Sequence, residues 1–312
     1  EKIGEGTFSE IYRAKDKKAL SADKKYVAVK VEKETMVLYA ETRVLKKQQG
    51  TSPYVCKYVD SGAHGAGKYL CMELLGENLS ELRRRRVGGR FSWGTTLKLS
   101  MEMLRAIQYM HNDGYIHRDI KPSNFAVGQG ADRTKCYIID FGLAKKYRDE
   151  HGNVVPARET AEFRGTSSYA STNAHNQKDL GRRDDLWSLF YVMIEFLEGD
   201  LPWRVAEKDK VCELKEYHMK HPEALVGPVA GPIPREFLSF MGYLRSLDYA
   251  EDPNYELLVG QLHSLQRRLG YTGQEPYDWE LSDPHASAPP TNPPIAEPPV
   301  AAMLGLPPHM VA

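Results

Sequence analysis

The chain has 312 residues, 41% of them hydrophobic and 27% charged, which is enough apolar material for a sizeable core and more than one lobe. Its 42 Lys and Arg residues balance 42 Asp and Glu residues, so no global field favours nucleic acid or a membrane surface as partner. Four cysteines without paired ligand spacing (Cys56, Cys71, Cys136, Cys212), no secretory leader pattern and no apolar run near the ~18 residues of a spanning helix read as reduced thiols in a cytoplasmic protein, with the nucleus as second compartment.

Glu1-Lys2-Ile3 already reads as strand, as if the sequence opened partway into a longer polypeptide. Gly4-Glu5-Gly6-Thr7-Phe8-Ser9 comes next, a glycine loop between strand patterns whose backbone N–H groups can approach β- and γ-phosphates, with Phe8 over its tip. Ile3 and Ile11 flank it and count with the loop as nucleotide-binding candidates. Glycines between strands also make plain turns, so this pattern gains meaning only from a phosphate-facing lysine at the right distance downstream. Strand patterns at Ile11-Tyr12-Arg13-Ala14 and Tyr26 to Val31 lead to Val27-Ala28-Val29-Lys30. A helix is expected from about Glu34 to Gln49, with Val37, Ala40 and Val44 at helical spacing and Gly50 as its stop. It offers Glu41 to Lys30, an ion pair that would hold the ammonium towards the α- and β-phosphates while Ala28 leaves room for adenine. Taken alone, Lys30 could equally be an exposed strand lysine.

Two further strands are expected at Val55 to Tyr58 and Tyr69 to Leu75. Between them, Gly62 to Lys68 meets most of a phosphate-loop pattern, but Tyr69 stands where a Ser or Thr hydroxyl is needed on the metal and a strand succeeds it in place of a helix. It reads as a hairpin turn. Met72, Glu73 and Leu74 would line the adenine pocket at the junction of two lobes. After Gly76 long helical patterns take over: Leu97 to His111, and Asp185 to Glu198, apolar nearly all round as a central helix should be, with Gly199 as its cap. Arg83-Arg84-Arg85-Arg86 reads as a helix end facing water, with nuclear targeting as the other reading. From about Gly270 prolines and small residues dominate, and that tail reads as disordered or extended, either a linker or a ligand for SH3-like modules.

The most specific constellation is His117-Arg118-Asp119-Ile120-Lys121-Pro122-Ser123-Asn124 with Asp140-Phe141-Gly142 downstream. Asp119 would accept a proton from an attacking hydroxyl, Lys121 would neutralise γ-phosphoryl oxygens, and Asn124 and Asp140 are hard oxygen ligands for Mg²⁺. His117 reads as a packed ring bonding backbone. Together these residues describe ATP- and Mg²⁺-dependent phosphoryl transfer. A catalytically silent scaffold of the same shape would lack the base or a metal ligand, and all are present.

These motifs resemble the eukaryotic protein kinase family. Gly165-Thr166-Ser167-Ser168-Tyr169-Ala170-Ser171-Thr172-Asn173-Ala174-His175, standing where most kinases carry Ala-Pro-Glu, resembles the casein kinase 1 superfamily, and Glu162-Phe163-Arg164-Gly165, Leu201-Pro202-Trp203-Arg204 and Tyr277-Asp278-Trp279-Glu280 are most similar to its tau-tubulin kinase branch. The likeness departs at Ser9, in place of the third loop glycine. It implies an α+β two-lobed kinase fold: a small β-rich N-lobe with one helix at 1–75, a larger, mainly helical C-lobe at 76–270, and an extension at 271–312. It also implies transfer to Ser or Thr of proteins. Lys145, Lys146, Arg148, Arg158, Arg164, Arg182 and Arg183 gather near the expected substrate segment and favour acidic or phosphorylated peptides, with Arg182, Arg183 and Lys145 as the anion site; a solvated basic surface has the same composition.

Overall fold

A computed structural model describes residues 1–6, 9–17, 26–32, 37–65, 67–226 and 230–281. Thr7 and Phe8 of the glycine loop, and the proline-rich stretch 282–312 with its SH3-like docking reading, lie outside the described residues.

β1 (Lys2–Glu5), β2 (Ser9–Lys15) and β3 (Tyr26–Glu32) form an antiparallel meander. β4 (Tyr58–His64) and β5 (Gly67–Glu73) complete a five-stranded sheet of order β1-β2-β3-β5-β4. The period-two alternation of β3 puts Ala28, Lys30 and Glu32 on one face, all of them buried. One helix, α1 (Val37–Gln48), packs on the sheet through Leu38, Glu41, Thr42, Leu45 and Gln48, the buried face that helical spacing dictates. The Glu32 carboxylate accepts the Leu38 N–H at 3.0 Å and so satisfies one of the donors left open at the start of α1. Just past its end, Gly50 adopts a φ of +79°, the backbone that glycine adopts without strain.

The fourth strand departs from expectation. Val55, Cys56 and Lys57 are not strand; pairing begins only at Tyr58 and runs through Asp60, Ser61 and Gly62. β4 is an edge strand with one side to water, so it needs no apolar run, whereas the buried Val55 and Cys56 are loop residues serving the core. The Gly62 to Lys68 segment is the expected hairpin, with His64 paired to Gly67 and Gly65 at a φ of +57°.

In the second lobe α2 (Leu79–Arg84) and α3 (Trp93–Asn112) precede the short strands β6 (Tyr115–Ile116), β7 (Phe125–Val127), β8 (Cys136–Ile138) and β9 (Lys145–Lys146). β7 pairs with β8 and β6 with β9, which brings the loop after Ile116 beside the loop after Ile138. The helices α4 (Thr172–His175), α5 (Arg182–Glu198), α6 (Val211–Lys220), α7 (Arg235–Ser246) and α8 (Tyr255–Arg268) come after them. Every residue of α5 from Asp184 to Leu197 is buried, so it is the central helix its composition promised. Gly199 ends it at a φ of +89°, its N–H donating to the Glu195 carbonyl.

The arginine run is not uniformly solvated. Arg84 and Arg85 face water, but Arg83 turns inward beside Leu82 and donates to Glu195 on α5 at 3.0 Å, and to the carbonyls of Gly89 and Gly199. Only a tertiary contact could supply that partner, so composition alone assigned Arg83 wrongly. The second lobe also extends further than 270. Tyr277 is buried, the Asp278 carboxylate accepts the Ser92 N–H at 2.7 Å and its hydroxyl at 2.6 Å, and Trp279 meets Phe91 edge-on at 5.8 Å, so residues 271–281 close over the start of α3.

Removing the Arg83 guanidinium would leave the Glu195 carboxylate, in a buried site, with one hydrogen-bond donor among the described residues, the Tyr169 hydroxyl at 2.7 Å. Arg83→Ala is expected to lower unfolding stability by about 3 kcal/mol, whereas Arg84→Ala should stay within about 0.5 kcal/mol. Urea denaturation of the two variants side by side checks this, and equal midpoints would refute it.

Candidate active site

The junction of the lobes is organised around one ammonium. Lys30 Nζ donates to Glu41 Oε2 at 2.7 Å and to Asp140 Oδ1 at 3.0 Å, linking β3, α1 and the loop after β8. Burial works against its charge, but the two carboxylates raise the Lys30 ammonium above its ordinary value. Glu41 is buried, which pushes its carboxyl up, and Lys30 offsets only part of that. Burial also opposes ionisation of Asp140, but Lys30 prevails and holds that carboxyl below its usual range. The Asp140 side chain nonetheless keeps 46% of its surface exposed, at the lobe junction. Its backbone sits at a φ of +64°, and a Cβ on Gly142 would come within 2.8 Å of Val37, so the Asp-Phe-Gly order meets a steric demand.

On the loop between β6 and β7, tied to the Asp140 loop by the Ile139 N–H bond to the Asn124 carbonyl at 2.9 Å, Asp119 receives three side-chain donors. Lys121 Nζ lies 2.6 Å and Asn124 Nδ2 3.2 Å from its Oδ2, while Thr166 donates to its Oδ1 at 2.7 Å. Lys121 also donates to the Thr166 hydroxyl at 3.0 Å. These donors fix the direction in which the two carboxylate oxygens point. Because the Asn124 amide nitrogen donates to the Asp119 carbonyl at 2.8 Å, its oxygen is the atom left to offer a cation.

The catalytic loop is held from behind by α5. Asp185 accepts the His117 N–H at 2.7 Å and the Arg118 N–H at 2.8 Å, one on each oxygen. His111 Nε2 lies 2.9 Å from the same carboxylate, and its Nδ1 lies 2.6 Å from the Tyr255 hydroxyl. Burial holds the His111 ring below its ordinary value, so at neutral pH Nε2–H donates to Asp185 and Nδ1 accepts from Tyr255. The His117 ring is fully buried, with Nε2 at 3.2 Å from the Ile139 carbonyl, the packed role expected of it. Arg118 adopts a φ of +66°, and Gly165, at +100°, approaches its carbonyl so closely that a Cβ would stand 2.5 Å away.

Around the cleft, Ile11 is the register neighbour of Lys30, and Ala28 is that of Met72. Gly6 N–H donates to Ser9 O at 2.8 Å, closing the base of the glycine loop; Gly4 pairs with Ile11, and Ile3 and Glu5 lie exposed on β1. The Glu73 N–H donates to the Lys57 carbonyl at 2.8 Å and its carboxylate accepts the Lys57 N–H at 3.0 Å, which ties the end of β5 at the lobe junction.

The expected anion site does not assemble. Arg182 is buried, its guanidinium spent on Asp252 and on the Ala250 carbonyl at 2.7 Å. Arg183 donates to the Leu247 carbonyl, and Lys145 is held by both oxygens of Asp179 at 2.8 and 2.7 Å. Charges that look free in a sequence are here internal ties, because each finds a partner from a distant element. Sequence reasoning also missed Thr166, Gly165 and Asp185 as parts of this site. The available signals were Gly-Thr in a segment rich in small residues and a carboxylate at the start of an otherwise apolar helix.

The fold and this residue set define a phosphotransferase domain of the protein kinase type. A family model described as protein kinase domain matches residues 1–257, and the chain belongs to that family. A probable serine/threonine-protein kinase of Dictyostelium discoideum is 47% identical over 285 residues, 90% of this chain and 55% of that protein, so the chain spans little more than half the length of this curated relative. No helix among the described residues is long and apolar enough to cross a membrane.

Asp179 is tied by Arg158 at 2.9 Å as well as by Lys145. Burial opposes its ionisation, but these two cations hold its carboxyl well below the usual carboxylate range. Its contribution is therefore complete above about pH 4, the ordinary value of an unfolded Asp, and is lost as pH falls through the lower folded value. Asp179→Asn should be less stable at pH 6 and should lose less on acidification from about pH 4 to about pH 2; parallel urea midpoints for variant and parent across that range would contradict this.

Proposed function

We propose that this domain transfers the γ-phosphoryl group of ATP to Ser or Thr hydroxyls of proteins. The observation that carries the reading is the Lys30 bridge at 2.7 Å to Glu41 and 3.0 Å to Asp140, together with an Asp119 surrounded by donors on the loop that is hydrogen-bonded to the Asp140 loop. Lys30 holds phosphate oxygens of the nucleotide, and Ile11, Ala28 and Met72 form apolar walls for adenine. The hard oxygens of Asp140 and Asn124 fit Mg²⁺, which needs few protein ligands when phosphates supply the others; bound there, it neutralises charge on the phosphate oxygens. Asp119 orients the acceptor hydroxyl and takes its proton. Lys121, within reach of Asp119 and Thr166, meets the charge that grows on the transferred group. The Ser/Thr preference rests on Lys121 after the base, on the casein kinase 1-like segment around Thr166, and on the name of the Dictyostelium relative.

The substrate class we infer is acidic or already phosphorylated protein sites. The support lies in Arg118, whose Nε donates to the Leu143 carbonyl at 2.7 Å and which meets no carboxylate at ion-pair distance among the described residues; Arg164 and Arg158 stand near it but are paired with Glu162 at 2.6 Å and Asp179 at 2.9 Å, and Arg182, Arg183 and Lys145 are spent on internal partners. Burial first, then the neighbouring charges of Arg164 and Arg158, hold the Arg118 guanidinium below its ordinary value, a sign of crowded positive charge beside the catalytic loop. An anionic group placed among them relieves that repulsion.

Asp119→Asn should lower phosphoryl transfer by about 10²-fold or more while the Mg²⁺-dependent thermal shift given by ATP persists; undiminished turnover would reject Asp119 as the base. Lys30→Met should lose transfer and weaken that thermal shift together. A peptide-library screen of the purified chain, with and without phosphorylated positions, measures the substrate class, and indifference to acidic neighbours would overturn it.

A further inference from the structure

Lys215 lies on α6, remote in sequence from the catalytic loop and the nucleotide-side residues, and is only 1% exposed. Its Nζ donates to the Ser167 carbonyl at 2.7 Å and to the Ala170 carbonyl at 2.6 Å, and lies 3.2 Å from His175 Nε2. The faces of Tyr191 and Trp203 flank it, with ring centroids at 4.9 and 5.3 Å. Burial pulls this ammonium down to about 7, and no carboxylate among the described residues acts to raise it. A lysine buried without an acidic partner is costly, so what it binds must compensate. Two carbonyl acceptors and two aromatic faces do that, and both carbonyls belong to one short segment.

That segment begins directly after Thr166. Trp203 adds a third tie from the same side, its indole N–H donating to the Ser168 carbonyl at 2.8 Å, while the Tyr169 hydroxyl is anchored on Glu195. The backbone of 167–170 is thus fixed from α5, α6 and the turn between them. Its first neighbour, Thr166, touches both Asp119 and Lys121.

We propose that Lys215 is a positioning residue for the phosphoacceptor: by clamping the Ser167 and Ala170 carbonyls it holds Thr166, and the surface on which the acceptor segment lies, in register with Asp119. The inference rests on the reading of this domain as a protein kinase. Lys215 touches none of the nucleotide-side residues Lys30, Glu41 or Asp140, so its loss should act on the protein substrate and spare ATP.

Lys215→Met keeps the length of the side chain and removes the donors. In the full chain, kcat/KM for an acceptor peptide should fall by about tenfold or more, while the KM for ATP and the slow hydrolysis of ATP by water each stay within about twofold. A merely structural role predicts something else, an equal loss of transfer and hydrolysis as the folded fraction drops, and that result would overturn the proposal. So would unchanged peptide kcat/KM in a variant whose thermal melt shows it folded. Should Lys215→Met fail to fold, Trp203→Phe, which removes the indole N–H tie to Ser168 and part of the ring face beside Lys215, should move the peptide parameters in the same direction by about threefold, and no change there would count against the clamp. An unmutated chain that transfers nothing to any acceptor would refute the kinase reading itself, a failure visible without the variants.

Discussion

A single buried carboxylate organises the catalytic side of this domain. Asp185 projects from a helix with no exposed face, and burial disfavours its charge; the bonds from His111 and from the backbone N–H of His117 outweigh that and hold its carboxyl below the usual range. Because its two oxygens grip consecutive amides, the peptide between His117 and Arg118 has one permitted placement. Arg118 can then take its positive φ, Gly165 can approach it, and Asp119 points into the shell made by Lys121, Asn124 and Thr166. Low surrounding dielectric strengthens each of these bonds and would penalise the loss of any one.

The two lobes meet through an ion pair of a different kind. Lys30 and Glu41 are buried, whereas Asp140 is half open, so the cluster is anchored within the N-lobe and reaches the C-lobe by its more accessible member. That asymmetry suits a site where incoming phosphates and a cation compete for Lys30 and Asp140 while Glu41 keeps the lysine aimed. The pKa directions agree: Glu41 is driven up by burial, and Asp140 is driven down by the ammonium.

The segment from Thr166 to Ser171 is secured by side chains gathered from four elements. Lys215 and Trp203 take its carbonyls, Glu195 takes the Tyr169 hydroxyl and is itself met by Arg83, and Asp184 accepts the Ser171 hydroxyl at 2.6 Å and the Asn173 amide at 2.9 Å. A chain that lacks Ala-Pro-Glu at this position fixes the segment with this distributed set of bonds. The same network explains why Arg83 left the surface: it neutralises Glu195, a carboxylate that the packing of α5 buries.

Much of this was legible in residue order, and for a physical reason. Lys30 on a period-two strand, Glu41 on a period-3.6 helix, the spacing of Asp119, Lys121 and Asn124, and Asp140 before a glycine are all local patterns, and local geometry carries them to their places. The hairpin at Gly62 to Lys68 and the central helix after Asp184 were readable in the same way. The edge strand β4 was not, because a half-solvated strand leaves no periodic mark, and the packing of 271–281 was not, because their partners Phe91 and Ser92 lie far away in the chain. Sequence by itself determined which groups can do chemistry and on which local element each one rides. Tertiary structure alone decided which charges are free to act and which are spent: whether Arg182, Arg183, Lys145, Arg83 and Lys215 meet a ligand or an internal carboxylate or carbonyl depends on contacts between distant segments, and a side chain's charge carries no record of its partner.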